Sequence, residues 1–410
     1  MLCRRRRSTA RAITTAHPFC IVSLMDQLRL PIYARIADSA CRVSKNMNVS
    51  RGSVISLFSG AGGLDLGLEQ AGFQTLAAVE WDHDSADTME KNASTFFPEL
   101  REVLRADLYP LAGGASTGVT TRDILKAAGL AGRERPDLLV GGPPCVAFSK
   151  AGFWLDWKRD GIDPAASLLQ AYTRVLAEAR PRFFILENVY ALTFNNKASR
   201  PAFNRLLAEI EAAGYRCNWR VLNAADYGVP QLRPRLFIVG ARKGEKLPEL
   251  PEPTHFGAWE RRERQGGPLP HVTTGQALAG LRTVPEQEET IRGQWGHLLA
   301  DIPPGENYLF YTERRGHPNP IFEWRTRFWS FLLKLDPNRA SPTIQAHPGP
   351  NVGPFHWENR RLRVPELRRL FTFPDDFEFV GKRASVQAQV GNSVPPLLAR
   401  RVAEQVVALL

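Results

Sequence analysis

The chain has 410 residues, 43% of them hydrophobic, and a formal charge of +11. That length supplies a sizeable core and suits two domains better than one, and no run of about 18 uncharged apolar residues offers a membrane span. Residues 1–50 hold nine Lys/Arg against two acids, a net of +7, so the rest carries only +4 and charge is weak support for nucleic-acid binding. Cys3, Cys20, Cys41, Cys145 and Cys217 show no CxxC spacing and the eight histidines no HxxxH. Neither a disulfide framework nor a zinc site is therefore indicated, no metal is expected, and a reducing cytoplasm is the expected compartment.

The opening "MLCRRRRSTARAITTAHPFCIVSLM" has an Arg run, but a short apolar part and no clear small-residue cleavage site. It reads as a basic, disordered extension rather than a signal or transit peptide. From about Ser53 to Arg242, apolar runs ("VISLFSG", "QTLAAVE", "DLLVGG", "RFFILENV", "RLFIVGA") alternate with helical patterns. Such alternation predicts an α/β fold with a doubly wound, parallel sheet. Leu168, Leu169, Tyr172, Val175, Leu176 and Ala179 share one helical face; Phe203, Leu206, Leu207 and Ile210 share another before Gly214.

The first strand runs into "FSGAGGLDLGLEQAG", where Gly60, Gly62 and Gly63 let backbone N–H groups approach a ligand at a helix start. Asp65 stands where the dinucleotide fingerprint requires glycine, which argues against a pyrophosphate. Glu80 ends the next strand at the distance where an acid meets ribose hydroxyls; Trp81 is placed to stack on adenine and Asp107 to accept from its amino group. Each signal alone is weak, since a glycine loop is often only a turn and a strand-end acid only solvated. Three successive strand ends together point to one nucleoside.

"GGPPCVAFS" follows. Pro143 and Pro144 should stop the strand and present Cys145 at the same sheet edge, although a single cysteine is more often an inert hydrophobe. Lys150 to Gly161 has the composition of a lid or of an ordinary loop. "LENV" sets Glu187 beside that strand, where burial raises a carboxyl's pKa; the bland reading is a salt-bridged glutamate. "QLRPR" brings Gln231, Arg233 and Arg235, with alternate residues on one face, before a further strand. "GEKLPELPEPTHFGAWERRERQGGPLP" suits a linker or domain edge, and the next stretch mixes aromatics with arginines in no sustained period. At the end, Leu397, Leu398, Val402, Val406 and Leu410 form a helical face that should dock on a core.

A thiol nucleophile, an acid, paired arginines and an adenosine-like site at one sheet edge form a recognisable set. In its motifs "FSGAGG", "GGPPCVAFS", "ENV", "QLRPR", "RRLRVPELRRLFTFPDDF" and "VGNSVPP", in this order, the chain resembles the cytosine-C5 DNA methyltransferases of bacterial restriction-modification systems. Val146 where glutamine is common, and "FTFP", depart from the pattern. The resemblance implies the Rossmann-like, S-adenosylmethionine-dependent methyltransferase fold, with a sheet that is mostly parallel and a second, smaller, irregular DNA-recognition domain. It implies a DNA (cytosine-5-)-methyltransferase with Cys145, Glu187, Arg233 and Arg235 as catalytic residues, the two arginines sharing the base's O2 side and nearby phosphates. Phe58, Gly60, Gly62, Glu80 and Trp81 become contacts of S-adenosyl-L-methionine, together with Asp107, Leu108, Pro144, Leu168 and Asn392. Asn392 and Ser393 are expected to begin the last helix.

The domains it implies are 51–245 (catalytic and cofactor-binding), 246–340 (target recognition) and 341–410 (a return segment completing the catalytic domain), after the extension at 1–50. The implied partner is double-stranded DNA, met as a monomer in the bacterial cytoplasm, and a cognate restriction endonuclease at the same site is compatible with it. An RNA cytosine methyltransferase of the same fold and a catalytically silent DNA-binding regulator are the rivals. The long segment before "FTFP" favours duplex DNA over RNA, and Cys145, Glu187 and Asn392 together argue against silence. A nicotinamide-linked oxidoreductase leaves "PPC" unexplained.

Overall fold

A computed structural model of the chain describes residues 52–108, 118–130, 132, 134–144, 164–257 and 269–410, with side chains described from 168 onward in the helix that begins at 164. Seven strands form one sheet: β1 (Ser53–Leu57), β2 (Gln74–Glu80), β3 (Glu102–Arg105), β4 (Leu138–Gly141), β5 (Phe183–Val189), β6 (Tyr215–Asn223) and β7 (Pro234–Arg242), in the order β3-β2-β1-β4-β5-β7-β6. Strands β3 to β5 pair in parallel. Their contiguous apolar runs are explained by burial on both faces: Val54, Ile55, Leu139, Val140, Phe184 and Ile185 have no exposed surface. The order reverses between β1 and β4, the switch point where open α/β sheets hold ligands.

One face is covered by α1 (Gly63–Ala71) and α9 (Pro396–Val407), whose Leu64, Leu68, Leu398, Val402 and Val406 pack on Val54, Val140 and Phe183. On the other lie α3 (Thr121–Ala127), α4 (Pro164–Ala179) and α5 (Ser199–Ala212), which bury Ile124, Tyr172, Val175 and Leu206 against Ile55, Leu57 and Leu139. The expected docking of the chain's end thus occurs, and it is close. A Cβ on Gly67 of α1 would lie 2.4 Å from the Ala399 Cβ and 2.5 Å from the Pro396 oxygen, so only glycine lets these helices meet. A third cluster joins Met89 of α2 (His83–Phe96) to Leu367 and Leu370 of α7 (Val364–Leu370) and to Val386 and Val390 of α8 (Arg383–Asn392).

Strand β7 runs antiparallel to both β5 and β6, so the sheet is mostly parallel, as the resemblance implies. β6 carries no apolar run: on this edge strand Arg216 and Trp219 are exposed, so partial burial leaves only a weak alternation. Contrary to the sequence reading, Asn392 ends α8 and Ser393 is its C-cap; the last helix starts at Pro396, because Pro395 and Pro396 form a preset helix entry.

Beyond the sheet, α6 (Thr274–Leu278) sends Ala277, together with Leu335, into the α2/α7/α8 cluster. A separate small core holds Leu299, Ile302, Tyr308, Tyr311, Phe322, Leu332 and Phe355. It straddles position 340. The Pro-rich stretch after Arg242 packs along β6, with Asn218 donating to the Pro248 oxygen at 3.0 Å and Tyr227 to the Pro251 oxygen at 2.9 Å.

Candidate active site

Where β1 meets α1, Phe58, Gly60 and Gly62 all have positive φ, at 53°, 56° and 78°. A phenylalanine in this region is strained, and its ring is held by packing on the sheet core. The turn aims backbone donors at Glu80: the Gly60 N–H donates to Glu80 Oε2 at 2.7 Å, and the Asp82 N–H to Oε1 at 2.9 Å. Burial pushes the Glu80 carboxyl up, while those donors oppose it. A Cβ at Gly60 would meet nothing within 4 Å, so the loop borders open space. Beside it Trp81 is 67% exposed, a free face for a ring. Asp107 is exposed; Leu108 is buried, its carbonyl accepting from Arg174 at 3.1 Å. Leu168 is half-buried on α4.

Leu57 pairs with Gly141, so the glycine loop and the end of β4 leave adjacent strands about 4.8 Å apart. From there the chain runs through Gly142 and Pro143 to an exposed Pro144. Cys145 and the segment 150–161 lie outside the described residues. The approach to that position is well built. Asn188 Nδ2 donates to the Pro143 oxygen at 3.1 Å, and a Cβ on Gly142 would come 3.1 Å from Glu187 Oε2. Glu187 therefore stands directly beside the chain three residues before Cys145. Its other oxygen is 3.1 Å from Arg235 Nε, both side chains nearly buried. Burial raises the Glu187 pKa, with Arg235 and then Arg233 pulling the other way.

The two arginines part company here. Arg235 faces the glutamate. Arg233 is 1% exposed, donates from Nη1 to the Ile344 oxygen at 3.3 Å and from Nη2 to the Gly391 oxygen at 2.5 Å, and lies 5.0 Å over the Phe371 ring. Burial, then Arg235, lowers its pKa, with Glu187 opposing. Strand alternation puts both arginines on one face, and the return segment covers the first. Its grip on Gly391 holds the end of α8, hence the exposed Asn392. A Cβ on Gly63 would lie 2.5 Å from the Val394 oxygen, so the residues after Asn392 abut the start of α1.

The family signature of the C-5 cytosine-specific DNA methylases matches residues 52–408. The chain belongs to that family. This C-5 cytosine methylase is 45% identical over 372 residues to the Type II methyltransferase M.SacI of Streptomyces achromogenes, covering 85% of this chain and 91% of the relative. It is 31% identical over 356 residues to the Type II methyltransferase M.NgoFVII of Neisseria gonorrhoeae, covering 86% and 85%. Among solved structures, the fold is similar to that of a candidate DNA modification methyltransferase of an E. coli prophage, with a TM-score of 0.58, 23% identity and 88% and 99% of the two chains covered. It is also similar to the S. pombe Dnmt2 methyltransferase, with a TM-score of 0.53, 16% identity and 88% and 98% covered.

Three positions of the methylase site carried no role in the sequence reading. Asn188 steadies the proline pair, and the amide after the acid in "LENV" was its only signal. Gln231 has no exposed surface; it donates to the Leu370 oxygen at 3.4 Å and accepts from the Ile344 N–H at 3.2 Å, so "QLRPR" begins as a seam between the sheet and the return segment. Asp65 is fully buried behind the glycine loop, and burial raises its pKa to about 6, with Ser56 opposing.

Proposed function

We propose that the protein methylates C5 of a cytosine at a specific site of duplex DNA, with Cys145 as nucleophile, Glu187 as acid and Arg235 as the cation that orients Glu187. One observation carries this reading: the Glu187 carboxyl is held between Arg235 at 3.1 Å and the Gly142 backbone, on the strand whose continuation is Cys145. Cytosine C5 is a weak nucleophile, and covalent attack at C6 removes the difficulty. Cys145 Sγ bonds to C6 while Glu187 protonates or hydrogen-bonds N3, which turns C5 into an enamine-like carbon. The Arg235 fork keeps the glutamate aimed and leaves donors for the ring's O2 side. After methyl transfer, loss of the C5 proton and expulsion of the thiolate restore the ring.

The residues fit S-adenosyl-L-methionine: the open loop at Gly60 and Gly62, the ribose acid Glu80, the exposed ring of Trp81 and a strand-end carboxylate at Asp107 suit an adenosine without a pyrophosphate. Bound there, it supplies an electrophilic methyl. Phe58, Leu108, Pro144, Leu168 and Asn392 complete the pocket in this reading. Asn392 is brought in by the return segment.

A base within a duplex is out of reach of Cys145, so it is rotated out of the stack. The unit built around Tyr308 and Phe322, which lies mostly in a target-recognition domain spanning 246–340 and takes Phe355 from the return segment, grips the DNA, with 51–245 and the rest of 341–410 forming the catalytic body. Relatives named as Type II methyltransferases support a restriction-modification role in the bacterial cytoplasm, beside an endonuclease of the same specificity. No helix among the described residues is long and apolar enough to cross a membrane.

The test is incubation with labelled cofactor and either genomic DNA or bulk RNA, followed by bisulfite sequencing of an expressing host to read the context. Label in DNA, lost in Cys145→Ser with cofactor binding retained, is expected. Label in RNA only, or normal turnover by Cys145→Ser, overturns the reading.

A further inference from the structure

Phe328 and Trp329 are 74% and 60% exposed, and among the described residues no other two consecutive large apolar side chains are both in solvent. They sit on a turn closed by the Phe331 N–H donating to the Phe328 oxygen at 2.9 Å. The turn is firmly mounted. Asn307 Nδ2 donates to the Trp329 oxygen at 2.7 Å, the Gly353 N–H to the Ser330 oxygen at 2.9 Å, and Phe331 packs into the small core. Two aromatic rings on a rigid turn cost free energy in water, and an exposed apolar patch of this kind marks a contact site.

Its surroundings name the partner. Arg325 and Arg327 precede the pair, both exposed, and their guanidiniums rest on rings, at 5.9 Å over Trp324 and 5.7 Å over Phe331. Arg314 also lies over the Trp324 ring, at 4.5 Å. Cations spread among aromatic faces match a polyanion whose interior is a stack of flat rings. The position is decisive as well. Ser330 Oγ accepts from Gln345 Nε2 at 3.5 Å; the neighbouring Ile344 holds Arg233 through its carbonyl at 3.3 Å; two residues on, Arg235 meets Glu187. The aromatic turn is thus linked through the return segment to the strand that bears Arg233 and Arg235.

The geometry points to Phe328 and Trp329 as a wedge that enters the base stack next to the target cytosine and stabilises the duplex with that base rotated out. This rests on the DNA-methylating reading above. Rotating a base out breaks pairing and stacking, and apolar side chains inserted at a base step replace what is lost. The phosphates flanking the opened step are met by Arg325 and Arg327.

The experiment uses the full chain, S-adenosylmethionine and two duplexes carrying its methylation site: one fully paired, the other with an abasic position opposite the target cytosine. Phe328→Ala, Trp329→Ala and the double variant are compared with wild type, with Phe328→Tyr as a conservative control. The double variant is expected to lose about 10- to 100-fold in kcat/KM on the paired duplex, the worth of roughly one stacked base, and to come within about 3-fold of wild type on the unpaired one. Phe328→Tyr should behave as wild type on both. Equal losses on both duplexes, no loss on either, or a wild-type dimer that the double variant dissolves would each overturn the wedge. Wild type that labels no DNA sinks the methyltransferase reading itself, whereas active wild type with unaltered alanine variants sinks the wedge alone.

Discussion

Arg233→Met separates the two arginines of "QLRPR" by experiment. Methionine keeps much of the buried stem and removes the guanidinium, so the Ile344 and Gly391 carbonyls lose their donor in a region without water access. Each buried carbonyl left unpaired costs about 1–3 kcal/mol. Relief of the guanidinium's own desolvation, several kcal/mol for a buried ion and increased here by an unpartnered Nε, offsets part of this. The net loss is about 1–3 kcal/mol, or roughly 2–4 °C in Tm per kcal/mol for a body of this size. The catalytic consequence is specific. The end of α8 is freed, Asn392 no longer holds its place, and the KM for S-adenosylmethionine rises about 5- to 30-fold, as 1–2 kcal/mol dictates, while kcat at saturating cofactor changes little. Arg235→Met should do the reverse, lowering kcat with cofactor KM kept, because Arg235 touches Glu187 and not the return segment. Thermal melts and initial rates at varied cofactor check both. An Arg233→Met enzyme with unchanged Tm and cofactor KM but reduced kcat would show that Arg233 works on the base after all.

Three further outcomes follow from the same contacts. Asp65 has a folded pKa near 6 against an ordinary value of 3.8, so stability falls as pH rises from about 4 past 6, by about 3 kcal/mol at most; Asp65→Asn should melt higher than wild type at pH 7.5 and equal it near pH 4, and parallel curves across that range would contradict the burial argument. With Glu187 raised by burial and active when protonated, methylation declines as pH climbs through its titration; Glu187→Gln should be slower by about 100-fold or more and lack that alkaline decline, which pH–rate profiles read directly. Gly67→Ala forces a Cβ to 2.4 Å from Ala399 and should cost about 1–3 kcal/mol in urea denaturation despite alanine's better helix propensity; an unchanged midpoint would mean that α1 and α9 can part at no cost.

Much of this protein is written locally. Strands β1, β2, β4 and β5 are legible because burial on both faces demands unbroken apolar runs, and the glycine turn because positive φ at Gly60 and Gly62 admits few other residues. Glu80 and Glu187 could be assigned to strand ends from position alone, since a parallel sheet sends all such ends to one edge. What lay beyond reach involves partners distant in the chain. The direction of β7 depends on which neighbour it finds, and β6, an edge strand, needs too little burial to leave a signal. Arg233 and Arg235 are equivalent by spacing; only a return segment more than a hundred residues on, folded over one and not the other, ties the first to Ile344 and Gly391 and leaves the second beside Glu187. Sequence by itself determined the chemistry on offer at the sheet edge, because backbone conformation and burial act on adjacent residues; tertiary structure decided which groups meet there, because a side chain's role is set by what the rest of the chain leaves uncovered.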